Sequence, residues 1–137
     1  MQDFRRGRYS VSRLTVHLVC VTKYRRGVFD GAALDWLRGH FDKVCRTMDC
    51  TLLACDGEAD HVHALVDYPP KLSVSVLVNA LKGTSSRLLR QERPDIGERY
   101  WNGVLWSPSY FAASTGGATL ETVKQYVDSQ RRASSPP

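Results

Sequence analysis

The chain has 137 residues, 42% hydrophobic and 24% charged, the size and make-up of one soluble globular domain. No apolar run approaches the roughly 20 residues a membrane span needs, and nothing apolar follows the basic start MQDFRRGRYS to make a secretory leader. With 19 basic against 14 acidic side chains the net charge is +5, which fits a polyanionic partner and a plain solubility surface about equally well.

In chain order, residues 1–10 are polar and arginine-rich and read as a flexible arm or edge segment. Arg13 to Tyr24 is rich in β-branched residues and reads as a strand. Residues 31–48 carry Leu34, Leu37, Phe41, Val44 and Met48 at helical spacing. Cys50 to Cys55 reads as a second strand and Asp56-Gly57 as the turn after it. Asp60 to Tyr68 is a third strand, stopped by Pro69-Pro70. Ser73 caps a helix running to Glu92, with Val74, Leu77, Leu81, Leu88 and Leu89 inward. Val104 to Ala112 is a fourth strand, placed at an edge or bulge by Pro108. Thr119 to Arg131 is a last helix, with Glu121 in its first turn. The order is that of an α+β, ferredoxin-like βαββαβ antiparallel sheet with an added C-terminal helix. Residues 1–132 are expected to form a single domain and 133–137 a disordered tail. None of Cys20, Cys45, Cys50 and Cys55 lies in a C-x-x-C pair, so they read as free, mostly buried thiols.

Two groups of residues could carry chemistry. Side chains alternate along a strand, so His61 and His63 share a face, while Val62, Ala64 and Val66 point the other way into a core. The two imidazoles either converge on one cation or are ordinary surface histidines; as ligands they need a third donor. The last helix can supply it. Tyr126 and Gln130 are four residues apart on one border of the stripe Leu120, Val123 and Val127, although an amphipathic edge explains that spacing too. A phenol beside a divalent cation is eased toward its nucleophilic form, and the cation also makes a bound phosphate more electrophilic. Two histidines and an amide oxygen suit Mg²⁺ or Mn²⁺, with imidazole favouring Mn²⁺. Candidate phosphate contacts are Arg5, Arg6 and Arg8 in the arm, Lys23, Arg25 and Arg26 after the first strand, and Lys82 and Arg87 in the second helix. Gly83 implies close approach, either by a ligand or by packing on the sheet.

Four segments, VHLVCVTKYR at 16–25, DHVHALV at 60–66, LKGTSSR at 81–87 and LWSPSY at 105–110, together with the Tyr126-to-Gln130 spacing, resemble the single-tyrosine transposases of small bacterial insertion sequences. These are the TnpA type of the HUH nuclease superfamily, named for the His-hydrophobic-His motif. The resemblance spans roughly residues 13–131. It implies a homodimer acting on single-stranded DNA hairpins at element ends, with no nucleotide cofactor and no membrane association, in a bacterial or archaeal cytoplasm. It implies a divalent metal held by His61, His63 and Gln130. Tyr126 would be the nucleophile, forming a 5′-phosphotyrosine that later rejoins strands. Ala59 and Ser107 stand where the family often has Pro and Asn. The alternative is an inactive relative that only binds DNA hairpins. An RNA-recognition module would instead carry an aromatic motif on the strand that holds the histidines here. Replication initiators and relaxases share the chemistry on longer chains.

Overall fold

A computed structural model describes residues 4–100, 102–114 and 127–128. Most of the expected last helix, with Tyr126 and Gln130, lies outside the described residues, apart from Val127 and Asp128, which are helical. The elements in order are β1 (Arg5–Arg6), β2 (Val11–Ser12), β3 (Leu14–Val21), a 3-10 turn (Lys23–Arg25), α1 (Gly31–Thr47), β4 (Thr51–Glu58), β5 (His61–Tyr68), α2 (Val74–Glu92), α3 (Pro94–Arg99) and β6 (Phe111–Ser114). The strands β4-β5-β3-β6 form one sheet in that spatial order, with every neighbouring pair antiparallel. This is the ferredoxin-like arrangement that the element order predicts.

The sheet has two differently used faces. On one, Val16, Leu18, Cys20, Val62, Ala64 and Val66 are buried in a core completed by Leu37 and Phe41 of α1 and by Leu77, Leu81 and Leu89 of α2. Each fully buried Val, Leu or Phe side chain among them contributes about 1.5–3 kcal/mol. Asp30 caps α1 by accepting from the Ala33 amide at 2.9 Å, and Ser73 caps α2 by accepting from Val76 at 3.3 Å, which satisfies amides that have no partner inside the helix. The opposite face carries His61 and His63, directly across from Val21 and Val19 of β3. There Val19 and Val21 are fully buried, with Val127 and Phe111 packed against them, so β3 is covered on both sides.

Three expectations are corrected, and one further element is added. Asp56-Gly57 is not the hairpin turn: both residues lie inside β4, and the chain reverses at Ala59-Asp60. Gly57 is there for space, since a Cβ would sit 2.4 Å from the His61 carbonyl oxygen and 3.1 Å from Leu34 Cδ2. The strand expected from Val104 is shorter and later, Phe111–Ser114. Pro108 keeps the ladder from forming, and Leu105–Ser107 instead hangs on β3 by a single bridge, Thr22 to Trp106. The arm is a two-stranded hairpin, β1 with β2, and Pro94–Arg99 forms a short helix with Pro at its start. Cys20, Cys45 and Cys50 are buried, Cys55 is half-buried, and all four are free thiols. Among the described residues no helix is long and apolar enough to cross a membrane.

Candidate active site

Tight reversal at Ala59-Asp60 sets β4 against β5 so that Glu58 faces His61 and Asp56 faces His63. Cross-strand partners share a face, so two acids stand beside the two histidines. The His61 and His63 rings are nearly parallel, their centroids 6.2 Å apart. On the next strand, the His17 ring lies 5.6 Å from that of His63. Burial, and then the neighbouring His61, lowers the pKa of His63 against the opposing pull of Asp56 and Glu58. Burial, and then His63, lowers that of His17. Both shifts favour the neutral imidazole, the form that binds metal.

Glu58, Asp60 and His61 bring one ligand atom each within 4.8 Å of one another. Two carboxylates and an imidazole make a donor set suited to Mg²⁺ or Mn²⁺. His63 shares the face but lies outside that cluster, its ring closer to His17 than to His61. Asp60 Oδ1 accepts from His61 Nδ1 at 2.9 Å. With the proton on Nδ1, the other ring nitrogen keeps its lone pair for a cation.

Beside these residues the 3-10 turn is strained. Tyr24 and Arg25 have φ of 61° and 52°, left-handed values that cost non-glycine residues about 1–3 kcal/mol each. The turn is tied down on several sides. The Thr22 amide donates to the Asp60 carbonyl at 3.0 Å and the Lys23 amide to that of Leu105 at 2.8 Å. The Thr22 hydroxyl lies 2.8 Å from the Arg26 carbonyl oxygen, and Tyr100 Oη donates to the Lys23 carbonyl at 3.1 Å. Arg25 Nε is thereby brought 2.6 Å from Asp60 Oδ2.

The candidate phosphate contacts divide. Arg5 is turned inward, pairing with Asp67 at 2.5 Å and Asp49 at 3.4 Å. Lys82 is half-buried and holds the loop before β6, donating to the carbonyls of Ser107 at 2.6 Å and Ser109 at 3.1 Å. Arg26 donates to the Arg99 carbonyl and lies over the Tyr24 and Tyr100 rings. Arg6, Arg8 and Arg87 are exposed, and Lys23 is half-exposed with its ammonium 5.3 Å from the Tyr24 ring. Gly83 has nothing within 4 Å of where a Cβ would stand, so packing among the described residues does not account for it. Sequence reasoning missed Glu58 and Asp56. The available signal was the spacing Asp56-x-Glu58, the mirror of His61-x-His63 about a two-residue turn.

The sequence profile of the family described as IS200-like transposases matches residues 10–130. Among characterised relatives, the chain is 30% identical to the ISDra2 transposase TnpA of Deinococcus radiodurans over 128 residues, covering 93% of this chain and 91% of the relative. It is 32% identical over 114 residues to the transposase for insertion sequence element IS200 of Salmonella typhimurium, covering 83% of this chain and 74% of that one. A crystal structure of a Deinococcus radiodurans transposase superposes with a TM-score of 0.85 at 31% identity, over 92% of this chain and 97% of the other. A REP-associated tyrosine transposase bound to a REP hairpin shares the fold, with a TM-score of 0.54 at 18% identity over 93% and 69% of the two chains. The chain belongs to the IS200-like family of single-tyrosine transposases.

Proposed function

We propose that this transposase cuts and rejoins single-stranded DNA at the ends of an insertion sequence. Tyr126 would attack a phosphodiester to give a 5′-phosphotyrosine and a free 3′-hydroxyl. That hydroxyl would then attack a phosphotyrosine to reseal a strand, so the energy of the broken bond is kept. His61 and His63, with Gln130 and now Glu58, would hold a Mg²⁺ or Mn²⁺ ion, which when bound neutralises charge on the reacting phosphate. One observation carries the reading: Val127, the residue after Tyr126 in the chain, packs on Val19 and Val21, the partners of His63 and His61 across the β3–β5 ladder. Val127 therefore stands on the histidine face of the sheet.

The substrate would be a DNA hairpin bound by a homodimer. The hairpin in the REP-associated relative and the net charge of +5 support a nucleic-acid partner. Of the candidate phosphate contacts, Arg6, Arg8, Lys23 and Arg87 are the exposed or half-exposed ones available to its phosphates. The test is to incubate a labelled single-stranded hairpin library with the protein and Mn²⁺ or Mg²⁺. Cutting that depends on metal, is weakened by His61→Ala and His63→Ala, and spares duplex DNA supports the proposal. Tight hairpin binding without any cutting would favour the inactive, hairpin-binding alternative.

A further inference from the structure

Arg25 follows an apolar strand in a basic run, and sequence alone makes it a phosphate contact. Its surroundings differ from those of a surface cation. Its side chain is only 10% exposed, that of Asp60 17% and that of His61 13%. Three groups stand in line: Arg25 Nε lies 2.6 Å from Asp60 Oδ2, and Asp60 Oδ1 lies 2.9 Å from His61 Nδ1. Each carboxylate oxygen therefore already has a partner. The guanidinium contact is one of charge rather than an aligned hydrogen bond, because Nε and Nη1 are buried without a hydrogen-bond partner among the described residues. The turn that carries the guanidinium there holds two left-handed residues, Tyr24 and Arg25 itself. The Thr22 amide fixes the other end of the contact through the Asp60 carbonyl.

We propose that Arg25 and Asp60 are a positioning pair: the guanidinium fixes the Asp60 carboxylate, which in turn fixes the ring plane and tautomer of His61, leaving Nε2 to bind the cation. Asp60 then supports a ligand and is not one itself, although its oxygen lies within reach of the same ion. The inference rests on the reading of His61 as a metal ligand. A carboxylate holding the second nitrogen of a ligating histidine raises its basicity and removes its rotational freedom.

The sign of one effect separates this role from its rivals. A cation beside a cation site repels the incoming ion, so by charge alone the removal of Arg25 tightens metal binding. Loss of a positioning residue weakens it. The experiment is calorimetric titration of the DNA-free, full-length protein with Mn²⁺, comparing wild type with Arg25→Met, Arg25→Lys, Asp60→Ala and His61→Ala, each checked for folding by its melting curve. The proposal expects Arg25→Met and Asp60→Ala to weaken Mn²⁺ binding by about 10- to 100-fold, with Arg25→Lys between them and wild type. Unchanged or tighter Mn²⁺ binding by Arg25→Met overturns it and returns Arg25 to a phosphate contact or Asp60 to a ligand. Wild-type affinity in His61→Ala overturns both the proposal and the reading beneath it. Nitrogen NMR of ¹⁵N-histidine-labelled, metal-free wild type gives a second readout that needs no Arg25 variant. The His61 proton is expected on Nδ1, and a proton on Nε2 contradicts the proposal.

Discussion

Val19 and His63 lie directly opposite one another across the β3–β5 ladder, and Val127 packs on the first of them. The surface that Val127 covers and the candidate metal face are thus the same patch of sheet. Truncating Val127, which is 6% exposed, to Ala removes about 1.5 kcal/mol of burial, at about 0.8 kcal/mol per carbon. The expected result is a drop of up to about tenfold in single-turnover DNA cleavage, because Val127 holds to that face less often, with Mn²⁺ affinity changed far less than by His61→Ala. An equal loss in both would mean that Val127 supports the whole sheet rather than its own segment alone.

Gly57 has no room for a side chain. A Cβ there would meet the His61 carbonyl oxygen at 2.4 Å and Val62 Cα at 3.1 Å, both of them backbone atoms that cannot swing away. Gly57→Ala is expected to destabilise the protein by at least about 1–3 kcal/mol, read as a lower urea midpoint, and to weaken Mn²⁺ binding by moving His61. A wild-type midpoint would mean that the hairpin can spread at no cost.

Lys82 and Arg87 stand five residues apart on α2 but should behave differently. Lys82→Met removes two charge-assisted hydrogen bonds to the loop carbonyls of Ser107 and Ser109. It should cost about 1.5–3 kcal/mol of stability while leaving the salt dependence of hairpin binding near that of wild type. Arg87→Ala, at an exposed position, should leave stability alone and reduce the slope of log affinity against log salt by about 1. The reverse pattern would restore Lys82 as a phosphate contact.

How much could be read from the sequence follows from which signals are local. Strand and helix periods sufficed for the order of elements and through it the fold class, and the alternation of His61, Val62, His63 and Ala64 for which of these residues face the core. Long-range register was not legible: Asp56-Gly57 has the composition of a turn, yet Gly57 is required by the close passage of the His61 carbonyl and Leu34. Misplacing that turn by three residues hid Asp56 and Glu58, whose position beside the histidines depends on the reversal falling at Ala59-Asp60. Arginine roles were not legible either. Nothing local distinguishes Arg5, turned onto Asp67, or Arg25, turned onto Asp60, from exposed Arg6 and Arg8.

His40 gives a pH dependence well away from the site. Its Nε2 lies 2.7 Å from Thr84 Oγ1, linking α1 to α2. Burial first, then the Lys43 and Arg87 cations, holds its pKa below the ordinary 6.5. Below that value the unfolded chain takes up a proton that the folded His40 resists, so stability falls with pH from 6.5 down to the lowered folded pKa. Urea midpoints measured between about pH 7.5 and pH 5.5 should fall less steeply for His40→Gln than for wild type. Parallel curves would show that His40 titrates as it does in the unfolded chain.

The central claim is that Tyr126 becomes covalently joined to DNA. The most direct measurement is denaturing gel and mass analysis of wild type and Tyr126→Phe after incubation with a labelled single-stranded hairpin substrate and Mn²⁺. The account predicts a metal-dependent protein–DNA adduct that maps to Tyr126 in the wild type and is absent from Tyr126→Phe, which still binds the hairpin. Strand cutting that persists in Tyr126→Phe would contradict it and point to a different nucleophile, such as water.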